Sequence, residues 1–390
     1  MNHLSRPLPR RVAAGVLLLT ALLGSLPAPA AEPVECLVYF GTYTRGKEAK
    51  SKGIYVSRFD VASGKLSQPQ LAVETASPSF LALHPNGKSL YAVGEVPDGG
   101  GVKAFAIDRA SGKLKTINEQ STRGTGPTHL AVDATGKALV VANYGSGSVA
   151  SLPIKENGSL GAVATFVQHQ GSSVNQKRQA GPHAHCVNVS PDNSFVVSAD
   201  LGIDKVMIYQ LDAEKATLSP GRQSFVRVAP GSGPRHFAFH PEGKFAYVIN
   251  ELTCTMTAFA WDAKRGSLKV IQTVSTLPEG VAVGAGMSTA EVFAHPSGKF
   301  LYGSNRGHDT IAVFSIGAGG KLQLLQNAPA EVKIPRNFNL DPTGRWLLAC
   351  GQNSHDVAVH RVDEATGKLT FTGQKVAVGS PVCAVFLPVK

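Results

Sequence analysis

The stretch Arg235-His-Phe-Ala-Phe-His-Pro-Glu-Gly-Lys-Phe-Ala-Tyr-Val-Ile-Asn-Glu251 decides the fold. Two runs of aromatic and β-branched residues flank Pro241-Glu-Gly-Lys244, the composition of an antiparallel hairpin around a tight turn. Met256 to Asp262 and Gly266-Ser-Leu-Lys-Val-Ile-Gln272 then supply two further short strands. The same unit restarts near Ser79, His129, His185, Glu291 and Arg336, with turns such as His84-Pro-Asn-Gly-Lys88 and His295-Pro-Ser-Gly-Lys299. Its period is roughly 50 residues. A second marker fixes the phase: Gly-Lys-Leu or a near variant closes the units at Gly64, Gly112, Gly158, Gly266, Gly320 and Gly367, with a degenerate copy at Ala216-Thr-Leu218.

No segment sustains a helical period, so each unit reads as four antiparallel strands. A linear stack of such sheets leaves open edges, whereas a ring of blades about an axis hides nearly all of them. Leu37 to Tyr43 looks like a second strand without a first, and Ser380 to Pro388 like a first strand without the rest. Paired, they complete one blade. The sequence therefore predicts an all-β, seven-bladed β-propeller over 32–390, closed by its N- and C-terminal strands.

Residues 1–31 read as a secretory signal peptide: Arg6, Arg10 and Arg11, then the apolar run Val12 to Leu26, then Ala28-Pro-Ala30. Export to a bacterial periplasm follows, with no membrane span after cleavage. The formal charge is +11 and falls by three once those arginines leave. The remaining lysines sit mainly in turns, and no basic stripe interleaved with aromatics speaks for nucleic acid. Five cysteines without CxxC spacing read mostly as buried thiols, not as metal ligands.

In each hairpin the start of strand one and the residue beyond strand two meet at the end opposite the turn, so these positions form a ring around the axis on one face. The occupants are His129 with Asn143, His185 with Asp200, Arg235 with Glu251, Glu291 with Arg306, and Arg336 with Gln352; Glu95 and Thr42 fill the other two blades. Unpaired charges are expensive in such a crowded place, so the ring is either paired or made for a ligand. His183 stands next to it. His84, His240 and His295 lie in the far turns and read as structural, and His236 should point to the opposite face of its strand and pack within the blade.

At these residues the sequence resembles the propeller lactonase family, which includes bacterial 6-phosphogluconolactonases and the fungal 3-carboxymuconate lactonizing enzyme. The resemblance rests on Phe40-Gly-Thr-Tyr43, Gly181-Pro-His-Ala-His185, Gly233-Pro-Arg-His236, Asn250-Glu251, Ala290-Glu291, Ser304-Asn-Arg-Gly307 and Pro335-Arg336, and it spans nearly all of the mature chain. It implies catalytic roles for His185, Arg235, Glu251 and Arg306, and no metal or other cofactor. His183, Asp200, Glu291, Arg336, Gln352, Asn143 and His129 are then expected to orient the substrate or the catalytic side chains.

Lactone opening needs a base for water, donors for the oxyanion and an acid for the leaving ring oxygen, and this ring holds each type. Either Glu251 or His185 serves as the base. The signal segment directs the expected substrate toward unphosphorylated D-glucono-1,5-lactone, with the 6-phosphate as runner-up. Two other classes are weighed. A non-catalytic binding propeller would show exposed aromatics on a rim, and a quinone-dependent dehydrogenase would need metal-liganding carboxylates and more length. The oligomeric state is open between monomer and dimer.

Overall fold

Among the described residues, six of the seven sheets begin with the hairpin read in the sequence, and in the seventh the two chain ends supply the corresponding strand pair. The computed structural model describes residues 34–46, 50–96 and 99–389, with positions 1, 3, 4 and 7. The chain divides into Met1–Glu32 and Pro33–Lys390. Apart from those four positions, the expected signal peptide lies outside the described residues. Among the described residues no helix is long and apolar enough to cross a membrane.

The fifth blade shows the pattern: Pro234–Phe239, Phe245–Asn250, Thr255–Asp262 and Ser267–Ser275 hydrogen-bond in that order. The first strands of successive blades lie beside one another around the axis. Second strands are nearly enclosed, as in Ala138–Asn143, where all six residues are buried. The first blade is built from both ends of the domain, because Pro381–Pro388 pairs along Glu35–Thr42 before Gly53–Asp60 continues the sheet. Blade-to-blade contact buries apolar clusters such as Phe195, Val197, Phe237, Phe259 and Trp261.

The far turns do more than close hairpins. His84, His240 and His295 each accept a hydrogen bond at Nδ1 from their own turn, at 3.1 Å in every case. That bond leaves the proton on Nε2, which reaches the next blade's turn carbonyl at Gly136, Gly298 or Gly344, at 3.0, 2.8 and 3.0 Å. The repeated His-Pro turn is therefore a clasp between neighbours.

Candidate active site

The opposite end of the ring is shaped by an irregularity repeated from blade to blade. In the fifth blade Pro234 pairs with Asn250 and His236 with Ile249, so Arg235 is an extra residue bulged out of the ladder. His185, Arg336, Val382 and Thr128 occupy the same position in their blades, and Ala290 and Glu291 together face one partner residue in the sixth. A bulge re-aims side chains and bends the strand. Here it turns two successive residues of a strand toward the axis, producing an upper tier (Thr128, His185, Arg235, Arg336) and a lower one (His129, His236, Glu291, Asn337).

The residue at the exit of the second strand is fixed in six blades by a second repeated contact. The backbone N–H of Tyr43, Glu95, Tyr144, Leu201, Glu251 and Gln352 donates to the carbonyl of Ser380, Ser77, Gly126, His183, Gly233 and Ile334 respectively. These residues, with Arg306, complete the ring. The expectation for Thr42, Asn143 and Asp200 is corrected on this point, since each stands one residue short of the ring position. Asn143 is fully buried and donates to Ser148 Oγ. Asp200 accepts from the His183 N–H at 2.7 Å, from Gly202 and from His169, holding the segment that carries His185.

The upper tier opens into a cleft of about 310 Å³ lined by Glu95, Arg178, His185, Glu251, Arg306 and Arg336, with Thr128, Tyr144 and Ser288 at its walls. That volume suits a small molecule. Glu251 is its electrostatic centre. Its Oε2 accepts from Arg235 Nε at 2.9 Å and lies 3.0 Å from Arg306 Nη2, and its Oε1 accepts from Arg178 Nη2 at 2.6 Å. Burial alone would raise this carboxyl, but Arg306, Arg235 and Arg178 outweigh it and hold it down at about 2.

The arginines keep hydrogen-bonding capacity in reserve. Arg235 Nη1 donates to Ala290 O at 2.7 Å and Arg306 Nη2 to Thr289 O at 2.7 Å, but Arg306 Nε is buried without a partner among the described residues. Arg336 lies over the Tyr43 ring, 5.4 Å from its centroid. The Tyr43 hydroxyl, kept protonated by burial, donates to Glu95 at 3.0 Å. His185 is buried with Nδ1 unpartnered, and burial, then Arg235, His236 and Arg336, push its imidazole well below the usual range. It is therefore neutral.

The structure gathers His185, Arg235, Glu251, Arg306 and Arg336 at one place, Arg235 lining a small extension at the cleft floor with His236. Other expected residues stand elsewhere. His183 stacks on Tyr144, 4.6 Å between centroids, and braces that wall. His129 and Glu291 belong to the lower tier and line a second cavity of about 450 Å³ along the axis. Gln352 holds its ring position outside the cleft lining. His236, expected to pack within its blade, instead faces the axis, because the bulge at Arg235 shifts the alternation by one. Sequence reasoning missed Arg178, Tyr144 and Tyr43 as lining residues. Arg178 rides on the loop 169–183, and the one available signal was the length of that connection between blades. Among the described residues no three His, Cys, Asp or Glu side chains gather as metal ligands, and all five cysteines are buried free thiols.

Comparison with known proteins places this geometry among relatives. The family described as "Lactonase, 7-bladed beta-propeller" matches residues 37–386. A 6-phosphogluconolactonase of Bacillus subtilis is 38% identical over 350 residues, covering 90% of this chain and 97% of the relative. A 6-phosphogluconolactonase of Formosa agariphila is 35% identical, covering 87% and 96%. Among solved structures, the periplasmic gluconolactonase PpgL of Pseudomonas aeruginosa superposes with a TM-score of 0.85 at 34% identity, covering 91% of this chain and all of that one.

Proposed function

The chain belongs to the seven-bladed β-propeller lactonase family, and from that premise we propose that it hydrolyses sugar lactones, D-glucono-1,5-lactone to gluconate foremost. The observation that carries this reading is a buried imidazole, His185, whose Nδ1 has no partner among the described residues, set beside guanidinium donors on one small cleft. Glu251 is a poor base while three arginines hold it ionised, so His185 takes the proton of the attacking water. Arg306, through its free Nε, and Arg336 stabilise the oxyanion on the former carbonyl. Glu251 arrays the arginines. An imidazolium at His185 is disfavoured by the neighbouring Arg235 and Arg336, so the proton passes readily to the leaving ring oxygen. Carbonyl carbon gains a C–O bond from water, the ring C–O bond breaks, and the product acid then ionises.

A role outside the cytoplasm rests on the leader-like residues 1–31 and on the likeness to the periplasmic gluconolactonase. A second reading, hydrolysis of the 6-phosphorylated lactone, is favoured by the curated relatives' names and by the cleft's charge, with four arginines facing two carboxylates. The test is parallel hydrolysis of glucono-1,5-lactone and its 6-phosphate, with chelator present, by the protein lacking residues 1–31. The expected result is turnover of the unphosphorylated lactone. His185→Gln and Glu251→Gln should each lower kcat by about 100-fold or more. Turnover of the phosphate alone moves the substrate to the second reading, and no turnover of either favours a binding platform.

A further inference from the structure

Beneath His185 lies a buried pair that the mechanism above does not use. His236 Nδ1 and Glu291 Oε1 share a hydrogen bond of 2.7 Å. The carboxylate is fixed in turn: the Val292 N–H donates to Oε1 at 3.0 Å and Asn337 Nδ2 donates to Oε2 at 2.5 Å, while Asn337 Oδ1 accepts from the Ala384 N–H at 2.9 Å. His236 Nε2 has no partner among the described residues, and the ring lines the cleft floor with Ser79, Glu95, His185, Arg235 and Arg336. Glu291 lines the axial cavity on the other side. The pair thus spans the tier that separates the two cavities.

We infer that His236 and Glu291 act as one catalytic proton-handling unit, in which Nε2 exchanges a proton with the water or leaving oxygen in the cleft while Nδ1 exchanges one with Glu291. Taking up a proton at Nε2 releases the Nδ1 proton to Glu291 Oε1, so the imidazole changes tautomer without becoming charged; the return step reverses both transfers. No oxidant or co-reactant is involved. A relay of this kind avoids an imidazolium in a place where one is costly. His236 packs against the rings of Phe80, His129 and His185 and lines the floor with Arg235 and Arg336, and burial, then Arg235, Arg336 and Arg306, outweigh Glu251 and keep it neutral. Glu291 faces Arg235 and His129, yet burial outweighs both and lifts its carboxyl to about 7, where it gains and loses a proton near neutrality. A carboxylate that orients an imidazole through one nitrogen and leaves the other aimed at the reacting atoms is the arrangement a general base requires.

This inference rests on the lactonase reading, and its test separates the two. Imidazole ¹⁵N spectra of the protein lacking residues 1–31 report which nitrogen of His236 carries the proton, whether or not any lactone is turned over. The expected result is a His236 that switches from the Nδ1–H to the Nε2–H tautomer as pH falls through neutrality, and is locked as Nε2–H or Nδ1–H in Glu291→Gln. One fixed tautomer in the unaltered protein across pH 5 to 9 overturns the relay. With lactone turnover established, Glu291→Gln and His236→Gln should each lower kcat by at least about tenfold with KM little changed, and the double variant should lose no more than the worse single one. Additive losses, or unchanged kcat in variants with native circular dichroism, refute it.

Discussion

Glu251 keeps its charge against burial because three guanidiniums share it, and that has a measurable price in acid. Its folded value, about 2, lies below the ordinary 4.5, so the unfolded chain binds more protons between those pH values. The ion cluster's contribution, on the order of 3 kcal/mol, is complete above about pH 4.5 and disappears as pH falls toward 2. Urea unfolding should show a stability difference between the unaltered protein and Glu251→Gln that is smaller at pH 3 than at pH 7, a comparison from which the opposite acid trend of Glu291, raised to about 7, cancels. The sequence made this residue legible, because Asn250-Glu251 follows a recognisable hairpin. It did not make His236 legible. Alternation counted from the Pro-Glu-Gly-Lys turn holds only as far as the bulge, and an inserted residue leaves no trace in turn spacing at the other end. Arg178 was hidden for a different reason, since no periodicity orients a side chain on an irregular loop.

At the scale of the element, the hairpin has two working ends. The turn end clasps the next blade through imidazoles, so His240→Ala should cost about 1–3 kcal/mol by leaving the Gly298 carbonyl without its partner, with kcat unchanged below the melting range; thermal melts and lactone assays check both halves. The bulged end carries the chemistry and depends on close approach. A Cβ on Gly202 would collide with the Gly181 carbonyl oxygen and meet the His183 nitrogen at 2.9 Å. Gly202→Ala must therefore push the segment leading into His185, and should lower kcat/KM by about tenfold or more while destabilising the fold by about 1–3 kcal/mol. Repeat phase, strand order and closure were all readable, because they follow from turn residues and hydrophobic alternation. Three ring positions, at Thr42, Asn143 and Asp200, were misplaced by one residue because a polar residue also ends those second strands, where it holds the following segment.

For the molecule as a whole, the cleft's surplus of arginines meets a basic surface, the formal net charge being +11 for the full sequence. An anionic lactone should be drawn in electrostatically and an uncharged one should not. Raising salt from low to about 0.5 M should therefore reduce kcat/KM several-fold for a phosphorylated lactone and leave it nearly flat for glucono-1,5-lactone, a comparison that initial rates at fixed pH decide. The closing blade has a consequence for how the domain comes into being. Its second strand, Glu35–Thr42, precedes every other strand in synthesis, whereas Pro381–Pro388, which must lie along it, follows them all. Through that whole interval Cys36-Leu-Val-Tyr-Phe40, a stretch that ends up fully enclosed, waits with one edge bare. The ring is a latch whose bolt is delivered last, and the segment most exposed to mispairing during biogenesis is the one the finished protein protects most completely.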